Sequence, residues 1–168
     1  NGNILSITGK GNRIWIATLG GRSSVDVKDG QYTEQNFSSV DGLSSDFIYQ
    51  VFIDSKDRVW FATDGKGVSM LDAQGFHHLE EGLPSRVVYS FTEDSNADIY
   101  VSSQDNGVLK FENGKFVGVA GLKLRDNSVQ SLFADASGNL IVTHNFGIDV
   151  FDVNKKAMRY WGEESGIR

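Results

Sequence analysis

Ile48-Tyr-Gln-Val-Phe-Ile-Asp-Ser-Lys-Asp-Arg-Val-Trp60-Phe-Ala-Thr63 joins two apolar runs through a polar hinge, and Gly67-Val-Ser-Met-Leu-Asp72 follows. β-Branched and aromatic residues on both sides of Asp54-Ser-Lys-Asp57 predict a hairpin, because Asp and Ser side chains hydrogen-bond their own turn backbone. The same grammar returns three times: Ile4 to Trp15, Val88 to Tyr100, and Val129 to Ile141. The large apolar marker falls at Trp15, Trp60, Tyr100 and Ile141, in steps of 45, 40 and 41 residues. A second marker, Gly42-Leu43, Gly82-Leu83, Gly121-Leu122 and Gly166-Ile167, keeps the same phase. Two markers in phase define a repeat.

Each unit reads as four short strands. The first two are the arms of the hairpin, as in Tyr49–Ile53 and Val59–Thr63. A third follows a glycine, as in Gly67–Leu71 and Gly107–Phe111, and a fourth follows another turn, as in Phe76–Leu79 and Phe116–Val119. Val129, Leu132 and Phe133 have helical spacing, but the equivalent stretches are β-branched and bounded by turns, so the repeat predicts a strand there as well. Units of about 40–45 residues with four strands each are the signature of β-propeller blades. The expected fold is therefore all-β: one propeller region over 1–168, with blades at about 1–44, 45–84, 85–125 and 126–168. Inner strands apolar on both faces fit blades packed between two neighbours.

Composition agrees. The 168 residues include 19 Gly against one Pro, and 19 aromatics (11 Phe, 5 Tyr, 3 Trp) with no Cys. Without cysteine there is no disulfide framework, thiolate metal site or cysteine nucleophile. The net charge of −6 opposes nonspecific binding to nucleic acid or anionic membranes, which needs clustered Lys and Arg. No apolar run approaches the roughly 18–20 residues of a membrane helix.

At these residues the sequence resembles a known family. Gly-Leu, then Val-x-x-Phe, then Asp-x-x-x-x-Val-Trp-Phe-Ala-Thr, then Gly-Val-x-x-Leu-Asp, most complete from Gly42 to Asp72, is similar to the two-component regulator propeller repeat. Trp15-Ile-Ala-Thr18 follows the pattern; Tyr100-Val-Ser-Ser103 and Ile141-Val-Thr-His144 depart from it. The resemblance implies the periplasmic or extracellular sensor region of a bacterial hybrid two-component histidine kinase or related receptor. It also implies a propeller of more than four blades, often seven. An excerpt of a larger propeller, self-association through open blade faces, and a closed four-bladed ring are the three expectations, in that order. The opening at Asn1, without Met, reads as the mark of an excerpt.

In such a blade the inter-blade connection and the loop between strands two and three lie on one face, where loops gather around a rigid scaffold. The expected ligand-binding residues are Asp46, Asp64, Lys66, Arg86, Gln104, Asp105, Asn127, His144 and Asn145, with Arg22 beside them. Their amides and charges, with nearby aromatics, suit a small molecule or oligosaccharide. Backbone turns and blade-to-blade hydrogen bonds explain the same residue types.

Other motifs weigh toward structure. Asp94, Asn96 and Asp98 have a calcium-loop spacing, but the sixth loop position holds Ile99 where glycine is needed, so a recurrent hairpin turn is expected. His77 and His78 are adjacent on a strand and point to opposite faces. No phosphate loop and no catalytic triad pattern is present in the sequence, so neither cofactor, metal nor catalytic residue is expected. Three functions follow: a ligand-sensing ectodomain segment without chemistry of its own, a dimerisation scaffold, or a propeller lyase or hydrolase.

Overall fold

The computed structural model describes residues 3–18 and 20–166, with backbone alone at 21–23. Ile167 of the fourth Gly-Leu-type marker and the side chain of Arg22 lie outside the described residues. Among the described residues, sixteen strands form four antiparallel sheets of four, each in sequence order. Blade one holds β1 (Ile4–Lys10), β2 (Arg13–Thr18), β3 (Gly21–Lys28) and β4 (Gln31–Phe37). Blade two holds β5 (Ile48–Ile53), β6 (Val59–Thr63), β7 (Val68–Asp72) and β8 (Gly75–Leu79). Blade three holds β9 (Val88–Glu93), β10 (Ile99–Ser103), β11 (Gly107–Glu112) and β12 (Lys115–Gly118). Blade four holds β13 (Ser131–Ala134), β14 (Asn139–His144), β15 (Gly147–Asp152) and β16 (Ala157–Trp161). The helix-spaced stretch near Val129 is extended, as the repeat requires.

The first hairpin of blades two, three and four is closed by one device. Asp54, Asp94 and Asp135 each accept two backbone N–H groups on one carboxylate oxygen: Lys56 and Arg58 at 3.0 and 2.9 Å, Asn96 and Asp98 at 2.9 and 3.0 Å, Ser137 and Asn139 at 2.8 and 2.9 Å. The second oxygen reaches the next strand, accepting from Trp60 Nε1 at 2.9 Å, Tyr100 Oη at 3.2 Å and Asn139 Nδ2 at 2.8 Å. The turn hook therefore also seats the marker residue of the repeat, except in blade four, where Ile141 has no polar end and Asn139 takes its place. Calcium spacing at Asp94 is this hook. Blade one turns instead at Gly11, with φ 59°.

The chain divides into two compact units, residues 1–80 with 86–88, and 81–85 with 89–168. In the first, Trp15 stacks on Phe37 at 5.2 Å and meets Phe61 edge-on at 5.6 Å, with Ala17, Val51 and Val59 completing a buried core. In the second, Tyr100 and Val108 pack with Leu132, Leu140, Val142 and Phe151. Alternation explains the pairing within each unit: one face of its first sheet presents the marker residue, and the facing side of its second sheet presents aliphatic or Phe side chains. A hydroxyl on the first strand of one blade also bonds the first strand of the next: Ser6 Oγ accepts from the Val51 N–H at 3.2 Å, and Thr92 Oγ1 from the Ala134 N–H at 2.8 Å.

The Gly-Leu marker is a latch on the following blade. Gly42 (φ 102°), Gly82 (φ 82°) and Gly121 (φ 85°) are left-handed, and a Cβ at each would meet Phe76, the Phe116 backbone and Lys156 respectively. Beside them, the Phe116 N–H donates to the Glu81 carbonyl at 2.8 Å. At Gly82, where a Cβ would stand inside contact distance of the Phe116 backbone, only glycine satisfies both the φ and the approach.

Candidate functional site

The loops between strands two and three, and those between blades, hold most of the expected residues. In the first unit, Ser39 N–H donates to Asp46 Oδ1 at 3.1 Å, and Asp64 N–H to the Phe47 carbonyl at 3.1 Å, so the two acids flank half-exposed Phe47. The Lys66 carbonyl lies 2.7 Å from His78 Nε2, the Gly67 N–H donates to the Arg86 carbonyl at 2.8 Å, and Arg86 pairs with Glu80 at 3.1 Å. These residues are tied by backbone bonds and exposed ion pairs. His77 turns away to Asp72, at 2.9 Å. That contact holds Asp72 below the ordinary carboxylate range.

The second unit brings its expected residues together around Asn145. Asn145 Oδ1 accepts from Gln130 Nε2 at 2.8 Å, and its Nδ2 donates to Asp126 Oδ2 at 3.2 Å. Asp105 Oδ1 accepts from Ser128 Oγ at 3.1 Å. The Asn127 carbonyl accepts the Gly107 N–H at 3.0 Å, and the Asn127 amide oxygen lies 3.0 Å from where a Gly107 Cβ would stand. Gln104, Asp105, Ser128, Gln130 and Asn145, with Tyr89 and Val129, line a cleft of about 360 Å³. Asn145 is also in the wall of a second cleft of about 590 Å³, with Arg125, His144, Tyr160, Glu163 and Glu164.

His144 is the floor of the larger cleft. Its side chain has no exposed area, its ring stacks on Tyr160 at 6.2 Å with 8° between planes, and its Nδ1 accepts the Phe146 N–H at 3.2 Å. Its Nε2 faces Asp149 Oδ2 at 3.3 Å without hydrogen-bond alignment. Asp149, also buried, accepts the Arg125 N–H at 2.8 Å, and the Arg125 guanidinium covers the Tyr160 ring at 3.7 Å. A cation over a phenol face holds the ring flat as a cleft wall. Asp126 is kept below the ordinary carboxylate range by the Ser128 backbone N–H first, and by the Ser128 hydroxyl and Asn145. Among the described residues no group of three or more His, Asp or Glu side chains could hold a metal ion.

Asp149, Arg125, Tyr160, Gln130 and Tyr89 are not among the residues expected from sequence. Two of them carry a readable signal. Arg125 stands four residues after Gly121, as Asp46 and Arg86 stand after Gly42 and Gly82. Asp149 pairs with Val142 where Ser69 pairs with Phe61 and Leu109 with Val101, and His144 stands where Thr63 and Ser103 stand. Blade four thus places an ionisable pair where the other two have small or apolar side chains. A local departure from an otherwise consistent repeat marks a position under a different demand.

Residues 42–65 match the family described as Two component regulator propeller. No curated protein sequence matches the chain. Among solved structures, the fold matches the extracellular domain of BT3049, described as a hybrid two component system of B. thetaiotaomicron. The TM-score is 0.75 at 20% identity, covering 96% of this chain and 25% of that one. The extracellular domain of BT4673 from the same organism matches with a TM-score of 0.80 at 16% identity, covering 99% and 26%. Virginiamycin B lyase from Staphylococcus aureus matches with a TM-score of 0.74 at 18% identity, covering 95% and 55%. The chain spans about a quarter of the length of the two ectodomains. Such identities carry the fold and nothing finer. Sequence and fold agree that these are β-propeller blades, and residues 42–65, reaching into the second of them, match the two component regulator propeller repeat.

Proposed function

We propose that the chain is a ligand-sensing segment of a bacterial two-component receptor ectodomain, periplasmic or extracellular, that binds a neutral oligosaccharide or similar polyhydroxylated molecule without chemistry of its own. The observation that carries this reading is the pair of clefts joined at Asn145. Gln104, Gln130, Asn145 and Ser128 offer both donors and acceptors, as a hydroxyl-rich ligand requires, and Tyr89 and Tyr160 offer ring faces. The cleft linings carry Asp105, Glu163 and Glu164 against the Arg125 guanidinium, and Asp126 bonds Asn145, so a polyanionic ligand is repelled. The matched repeat and the ectodomain likenesses support the receptor context. The lyase likeness carries the fold alone, and His144 is covered with its Nδ1 lone pair occupied, so that histidine is not placed as a general base.

Calorimetric titration with neutral xylo-, manno-, arabino- and gluco-oligosaccharides, and with polygalacturonate and heparin fragments as anionic controls, tests this. At least one neutral series is expected to give binding heat, weakened about tenfold or more by Asn145→Ala, the loss of roughly one good hydrogen bond. Absence of heat from every member rejects ligand sensing at this face. Release of product during the titration would replace the sensor with an enzyme.

A further inference from the structure

We infer that His144 is a proton-operated catch on the turn that carries Asn145: neutral, it holds the turn closed, and protonated, it lets the turn go. The argument comes from what the other repeats place at the same two positions. The residue three places after the marker is Thr18, Thr63 and Ser103 in blades one to three, always a hydroxyl. Thr18 Oγ1 accepts the Gly20 N–H at 3.2 Å, Thr63 Oγ1 donates to the Gly67 carbonyl at 2.7 Å, and Ser103 Oγ donates to the Ser85 carbonyl at 3.1 Å. In blade four, His144 Nδ1 accepts the N–H of Phe146, two residues on, as Thr18 does in blade one. The second position is Ser69 in blade two and Asp149 in blade four. Each accepts an N–H from the loop that enters its blade, Ser44 at 3.0 Å and Arg125 at 2.8 Å. Blade four thus does with an imidazole and a carboxylate what hydroxyls do elsewhere, and sets the two 3.3 Å apart. A hydroxyl is indifferent to pH; a histidine is not.

While Nδ1 accepts the Phe146 N–H it carries no proton. A proton taken from solvent onto Nδ1 turns the acceptor into a donor, and two N–H groups then face each other. The ring is held where it is, with Asp149 Oδ2 facing Nε2 and Tyr160 stacked on its plane. The turn is free to leave. His144 pairs with Gly147, so Asn145 and Phe146 alone make the turn, and Phe146 is 66% exposed. Charges of both signs surround the ring. Asp149 on β15 favours the imidazolium, as do Asp126, bonded to Asn145, and Glu163 and Glu164, which line the same cleft. Arg125, over Tyr160 of β16, opposes it, and so does the burial of the ring by this chain's own residues. A turn that swings out takes Asn145 away from Gln130 and Asp126, and the two clefts lose the residue they share. Acid therefore weakens ligand binding, a consequence that rests on the sensing reading above; the catch itself does not.

Nuclear magnetic resonance of the unaltered chain between about pH 4.5 and 8 tests it, with the ring nitrogens of His144 and the amides of Asn145 and Phe146 as reporters. The Phe146 amide is expected to titrate with His144 and, corrected for the intrinsic effect of pH, to exchange about tenfold faster or more once the ring is charged. The Gly107 amide, bonded to the Asn127 carbonyl, is expected to keep its rate. His144→Thr, which restores the residue of blade one, is expected to abolish the response of Phe146, and His144→Gln serves should that variant unfold. Asp149→Asn removes a counter-charge and is expected to move the response to lower pH. A Phe146 amide that ignores the charge on His144, a response that persists without the histidine, or a ring that takes no proton while the fold persists would each overturn the inference. In calorimetry, a neutral oligosaccharide that binds at about pH 8 is expected to bind about tenfold more weakly near pH 5, and equal affinity overturns the coupling. Should no oligosaccharide bind at either pH, the sensing reading falls, and the Phe146 amide still decides the catch.

Discussion

Asp54 shows how much of a blade one carboxylate can hold. It is 1% exposed and accepts from the Lys56 and Arg58 backbone, from Arg58 Nε at 2.6 Å and from Trp60 Nε1. Asp54→Ala removes all of these acceptors at once, among them the carboxylate oxygen that takes the buried indole N–H. The expected loss is about 2–4 kcal/mol of unfolding free energy. Asp54→Asn keeps an oxygen for the turn but turns an NH₂ toward two donors, so its cost is expected to be smaller, about 1–2 kcal/mol. Urea unfolding checks both, with the midpoint falling in that order and the slope unchanged. The Asp-Ser-Lys-Asp cluster announces a turn in the sequence. That its carboxylate also seats the marker aromatic does not follow from the string, because the bond spans two strands whose approach only the pairing register sets.

At the scale of the element, the Gly-Leu latch separates two costs that glycine avoids. Gly82 combines φ 82° with a Cβ position inside contact distance of the Phe116 backbone, whereas Gly114, at φ 86°, faces open space. Gly114→Ala is expected to cost about 1–2 kcal/mol for the left-handed conformation alone. Gly82→Ala adds displacement of a strand, for a total of about 2–4 kcal/mol. Thermal melts of the two variants side by side measure the difference. Strand number, strand order and blade phase are legible in the sequence because period and turn chemistry are local. The clefts at Asn145 are only half legible. His144 and Asn145 stand out as loop residues, but Asp149 lies inside β15 and Tyr160 inside β16, and loop logic passes over both. Their roles come from neighbours across the sheet, which no local window contains.

For the whole molecule, charge sets the response to pH. Asp26 is held below the ordinary carboxylate range by its paired bonds to Arg13, Asp126 by the Ser128 N–H, and Asp135 by Asn139. The unfolded chain binds protons at higher pH than these folded groups do. Their contribution is therefore complete above the ordinary carboxylate value, and is lost as pH falls through it toward the lowered values. Tyr100 moves the other way, raised by burial first and then by Asp94, so its contribution is present below the ordinary phenol value and lost as pH climbs past it. Melting temperatures across pH 3–11 are expected to fall at both ends and change little between.

The latch has a further consequence for how such a chain changes length over generations. Gly42, Gly82 and Gly121 each belong to one repeat and rest on the next, the first two on its outer strand and Gly121 on the turn that leads into it. A deletion within a repeat would leave one latch without a seat or one seat without a latch. A gain or loss of one whole period, about 40 residues, restores every junction at once. Inheritance of blades is therefore quantised, and the number of blades is free to vary while the junctions are not.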